Sequence, residues 1–134
     1  MGKICTTVEQ SRKLIELGID ADSSDMYYQA LGDGHYENRP LVSGLHRFKF
    51  NLPAWSLSKL LELMPKCFSE KVSEYSSNFW SLEWQLGNDK SIRYIAVGGN
   101  RRIRVEFYER SYERKDEVDI AFEMVCWLLE NKKL

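Results

Sequence analysis

"FWSLEWQLGNDKSIRYIAVGGNRRIRVEFYER", residues 79–110, decides the fold. Trp80, Leu82, Trp84 and Leu86 recur at every second position, as side chains on one face of a β-strand do. "GNDK" (87–90) has the chemistry of a tight turn. "SIRYIAV" (91–97) follows as a second strand, "GGN" (98–100) as a second turn and "RRIRVEFYER" (101–110) as a third strand. In that last strand Ile103, Val105 and Phe107 predict one face. Arg102, Arg104, Glu106 and Tyr108 predict the other. Short turns between alternating strands predict an antiparallel meander.

On either side of this stretch the period changes to that of helices. In "PAWSLSKLLELMPK" (53–66), Leu57, Leu60, Leu61 and Met64 follow the i, i+3, i+4, i+7 rule and predict a helix of about three turns with that stripe in the core. Trp55 falls in its first turn, off the stripe, and is expected at the rim of the core. Pro65 ends the helix. Downstream, Asp116 predicts a helix cap, and Ile120, Ala121, Met124, Val125, Trp127, Leu128 and Leu129 give a wide apolar face. Near the start, Thr6 or Thr7 caps a helix with Glu9 or Gln10 at capping-box spacing, and Gly18 stops it.

Between the first two helices, Met26–Leu31 predicts a strand and "GDGHYENRP" (32–40) a turn. Leu45–Leu52 predicts a second strand with His46, Phe48, Phe50 and Leu52 on its inner face. Ser69–Asn78 reads as a polar connection. The expectation is an α+β protein, residues 1–134 forming one domain, with an antiparallel sheet (a hairpin plus a three-stranded meander) packed with three helices.

The 134 residues hold 19 basic and 20 acidic side chains, so no overall charge draws the chain to nucleic acid or membrane. There is no run of 18 apolar residues to span a bilayer and no apolar leader, which predicts a cytoplasmic protein. Cys5, Cys67 and Cys126 are far apart and odd in number, as reduced thiols would be.

Three segments together, "TTVEQSRKLIELGID" with "DMYY" soon after, "PAWSLSKLLELMP" and "AFEMVCWLLEN", resemble a group of short uncharacterised proteins. These are encoded in prophage-like and mobile-element regions of gut anaerobic bacteria. The resemblance covers about half the chain and stops short of residues 67–115. It implies a bacterial cytoplasm and an accessory role, and it transfers no activity, cofactor or site residue.

Chemistry-bearing residues are present without the spacing that chemistry needs. Asp20, Asp22 and Asp25 lack the Gly and Glu of a calcium loop and read as a cap and turn. His35 and His46 have no partner at zinc spacing. No nucleophile elbow or phosphate loop is present, so no catalytic residue, metal or cofactor is assigned. Residues 90–115 carry eight basic side chains against three Glu, with Tyr94, Phe107, Tyr108 and Tyr112 interleaved. Basic strands with aromatics can bind single-stranded nucleic acid. They can equally be a solvated sheet face with cross-strand Arg–Glu pairs. The sequence therefore favours a non-catalytic protein-interaction module with an unidentified protein partner. The alternative is a nucleic-acid binder using strands 90–115. In either case Arg102, Arg104 and Tyr108 are expected together on the free face of the last strand.

Overall fold

A computed structural model of the protein describes residues 3–42, 50–98, 100–110 and 113–134. It has the α+β architecture. Helix α1 (Val8–Glu16) starts on a complete capping box: Thr7 Oγ1 accepts from the Gln10 backbone N–H, and the Gln10 side chain accepts from the Thr7 N–H. Thr6 is not the cap because Trp55 claims it. The Thr6 N–H donates to the Trp55 carbonyl (2.9 Å) and the Trp55 N–H to Thr6 Oγ1 (3.1 Å). Gly18, at φ +97°, follows the helix end in the left-handed conformation.

Strands β1 (Met26–Tyr28), β4 (Leu41–Val42) and β5 (Leu52–Ala54) form a small antiparallel sheet in the order β4-β1-β5. β2 (Ala30–Gly32) and β3 (His35–Tyr36) form a separate hairpin turned by Asp33 and Gly34, both at positive φ. Of the strand expected at 45–52, residues 45–49, with His46 and Phe48, lie outside the described residues. Phe50 is exposed rather than inward, and only Leu52 enters β5. Cys5, Met26, Tyr28, Leu52 and Ala54 form a small core of their own.

Helix α2 spans only Leu57–Leu63. It loses its expected first turn because Pro53 and Ala54 are held extended against β1 and Trp55 against Thr6. Ser56 caps it, and Met64 is already extended before Pro65. Trp55 is fully buried, not at the rim, and its Nε1 donates to Ser23 Oγ (3.0 Å).

The meander is four-stranded: β6 (Cys67–Ser73), β7 (Ser76–Gln85), β8 (Ser91–Ala96) and β9 (Ile103–Tyr108), paired in chain order. The stretch read as a polar connection is thus β6 and the start of β7. α3 (Glu117–Glu130) is capped by Asp116 with Asp119 closing the box. Leu14 of α1, Leu60 of α2 and Val118, Ile120, Ala121, Met124, Val125 and Leu128 of α3 join Trp80, Ile92, Tyr94 and Ala96 in the main core. All three helices therefore bury residues against the same side of the sheet. On that side Arg104 of β9 reaches Glu70 of β6 (2.8 Å), although these are the two outermost strands. The sheet is curled, and its helix-covered side is concave.

Candidate interaction face

The register of β9 determines where its side chains point. Ser91, Ile92, Arg93 and Tyr94 face Tyr108, Phe107, Glu106 and Val105, but Ile95 faces Ile103. Arg104 is thus the extra residue of a β-bulge. The bulge breaks the alternation on which the sequence expectation rested. Tyr108, opposite Ser91, stays on the convex side. Arg104 packs on the concave side, its guanidinium over the Trp127 ring (5.1 Å) and paired with Glu70, which Lys133 also approaches (3.4 Å). Arg102 lies at the concave rim over the ring of Trp80 (5.6 Å). The three residues expected on one face are therefore separated, and Ile103 moves to the convex face.

The convex face has two parts. One is ionic. Arg93 lies between Glu83 and Glu106, and Arg101 adds a second cation to Glu83 (3.2 Å). Its hydrogen bonds to Arg93 hold the Glu83 carboxyl below its ordinary range, and the same bonds push the Arg93 guanidinium up. The other part is apolar. Phe79 sits beside Val97, whose N–H donates to the Phe79 carbonyl (2.9 Å), and Ile95 sits opposite Ile103. Phe79, Val97 and Ile103 are 57%, 64% and 51% exposed. Apolar side chains clustered on a sheet face with no helix over them commonly mark a contact surface. Phe79 was legible, since it alternates with buried Trp80. Ile103 was not, because nothing in 101–108 announces the bulge.

Most of the basic character of residues 90–115 is neutralised within the fold. Lys90 pairs with Glu109, Arg93 with Glu83 and Glu106, Arg101 with Glu83, Arg104 with Glu70, and Lys115 with Glu113 and Glu123. Three of these carboxylates, Glu70, Glu83 and Glu123, come from outside the segment and so were invisible to a local charge count. Tyr94 is buried, donating to the Pro65 carbonyl (2.6 Å), and Phe107 packs against the main core. Neither offers a ring for a base to stack on. Tyr112 lies outside the described residues.

Asp20 and Asp25 serve the fold. Asp20 caps a single 3₁₀ turn at Ala21–Ser23, and Asp25 accepts from the Ser56 N–H (2.9 Å) and hydroxyl. Among the described residues no group of His, Cys, Asp or Glu has metal-site geometry. Cys5 is buried beside the Tyr28 hydroxyl (3.7 Å), and burial pushes both groups up. Burial, chiefly, pushes the Cys126 thiol up to about 11. Cys67 is exposed. Among the described residues no helix is long and apolar enough to cross a membrane.

No family model, no curated protein and no solved structure matches the chain.

Proposed function

We propose that this chain is a non-catalytic protein-interaction module that docks a protein partner on the convex face of its four-stranded sheet. The observation that carries this reading is the exposed cluster of Phe79, Val97 and Ile103 on a face with no helix over it among the described residues, bordered by the Glu83–Arg93–Glu106 network. An apolar centre with a polar, charged rim is the usual anatomy of a docking surface. With this reading we propose the accessory role in a bacterial cytoplasm that the resemblance of three segments to short proteins of prophage-like regions implies. Single-stranded nucleic acid is the weaker reading. A polyanion gains affinity from several uncompensated cations, and most of those in residues 90–115 already have carboxylates.

Site-specific photocrosslinking tests the reading. With Ile103→p-benzoylphenylalanine, irradiation in a lysate of the native host should give one discrete protein adduct. The same group at exposed Glu16 of α1 should not. Phe79→Glu should weaken the adduct from position 103. No discrete adduct, or equal adducts from both positions, overturns the proposal.

A further inference from the structure

Arg102 differs from the other cations of residues 90–104, the last two strands and the residues beside them. Lys90, Arg93, Arg101 and Arg104 each have a carboxylate within ion-pair distance. Arg102 has none among the described residues. Its guanidinium is nevertheless not left to wander, because it lies over the face of Trp80, a buried ring. The Trp80 Nε1 is itself buried without a hydrogen-bond partner among the described residues. A positioned cation with an open charge is what an anionic ligand needs.

The surroundings narrow the class of ligand. Arg102 lines a cleft of about 430 Å³ at the end of the sheet, together with Ser77, Asn78, Phe79, Val97 and Asn100. The amides of Asn78 and Asn100 and the Ser77 hydroxyl both donate and accept, so they suit peptide groups as well as an anion. Phe79 and Val97 continue the cleft into the apolar part of the convex face. One open cation with neutral amides and an apolar border fits a single carboxylate followed by an apolar side chain. It does not fit a run of phosphates, since the neighbouring Arg93, Arg101 and Arg104 are already neutralised.

We infer that this cleft holds an acidic–apolar peptide segment of the partner, its carboxylate on Arg102 and its apolar residue against Phe79 and Val97. The inference rests on the proposed docking face and names the chemistry of what docks there. The test uses the full ¹⁵N-labelled chain. The probes are an acetylated hexapeptide of alternating Leu and Glu, its Leu–Lys counterpart and a ten-residue oligothymidine. The Leu–Glu peptide should saturably shift the side-chain signals of Asn78, Asn100 and Arg102, and the other two should not. Arg102→Gln should weaken that binding by about tenfold or more, as loss of a charge-assisted hydrogen bond does. Arg104→Gln should not weaken it. No saturable shift, a response to the Leu–Lys peptide, or an undiminished response in Arg102→Gln overturns the inference, as does oligothymidine binding in its place. Photocrosslinking keeps the two proposals apart. A discrete adduct from position 103 with no peptide response sinks only the cleft. A peptide response with no adduct sinks only the docking face.

Discussion

The two faces of the four-stranded sheet share a backbone and differ in what covers them. On the concave side, Ile92, Tyr94 and Trp80 are buried against three helices, and even its ion pair, Glu70–Arg104, works as a clasp between the two edge strands. On the convex side, Ile95 and Ile103 stand opposite each other with the ionic network beside them and, among the described residues, no helix above. The buried apolar residues of the first face are explained by the fold. The exposed Phe79, Val97 and Ile103 of the second are not.

The largest expected effect separates the faces outright. Ile92→Ala removes a fully buried side chain and should destabilise by about 2–5 kcal/mol. Ile103→Ala, at a half-exposed position in the neighbouring strand, should stay within about 0.5 kcal/mol. Urea denaturation of the two variants measures both. Comparable losses would mean that the convex face is covered in the isolated protein, and the docking proposal would lose its surface.

A smaller contrast lies within α2. Leu60 is fully buried and Leu61 only partly, although both belong to the apolar stripe. Leu60→Ala should cost about 2–5 kcal/mol and Leu61→Ala clearly less. A reversed order would place the helix a fraction of a turn away from the orientation described.

What the sequence made legible follows the same division. The caps of α1 and α3, the Asp33–Gly34 turn and the inward Trp80 and Leu82 of β7 depend on neighbours within a few residues or on strict alternation, although Trp84 of the same expected face is half-exposed. Three features depended on distant partners. β6 is an edge strand in which only Phe68 packs on the main core and the next position on that side is the ion-paired Glu70, so its sequence has no apolar alternation to read. Trp55 is drawn out of α2 by Thr6, 49 positions away. The bulge at Arg104 moves Arg102 and Arg104 off the predicted face, and it is defined only by pairing with β8. The expected site is divided because its residues lie on or just before β9, where a register shift against β8 interrupts the alternation.

The clasp should carry a pH signature. Its hydrogen bond to Arg104 holds the Glu70 carboxyl below its ordinary value, with Lys133 adding a second favourable charge. A depressed folded-state value means that the ionised form is favoured on folding. The stabilisation is therefore present above the unfolded value of about 4.3 and is lost as pH falls through the lower folded value. Glu70→Gln should be less stable than the wild type by up to about 1 kcal/mol near neutrality. The gap should hold down to about pH 5 and close below about pH 4. A gap independent of pH across that range would show that packing of the side chain, not its charge, closes the sheet.

The smallest effect on stability belongs to the convex network, and there the informative readout is binding. Glu83 is solvent-accessible, so its pairs with Arg93 and Arg101 are weakened by water and by salt. Glu83→Gln should leave the melting temperature indistinguishable from that of the wild type. It does change the charge pattern: Arg101 loses its carboxylate and Arg93 keeps only Glu106. If neutralisation within the fold is what keeps residues 90–115 from acting as a basic surface, the wild type should not bind a labelled single-stranded oligonucleotide. The condition is tens of micromolar protein in about 50 mM salt, where non-specific binders of ~10⁻⁴ to 10⁻⁶ M affinity at physiological salt would register. Glu83→Gln should gain a weak anisotropy signal that disappears as salt is raised, because each phosphate contact releases counterions. Binding by the wild type with the same salt dependence would mean that the carboxylates do not mask these strands, and the nucleic-acid reading would then displace the protein-docking one.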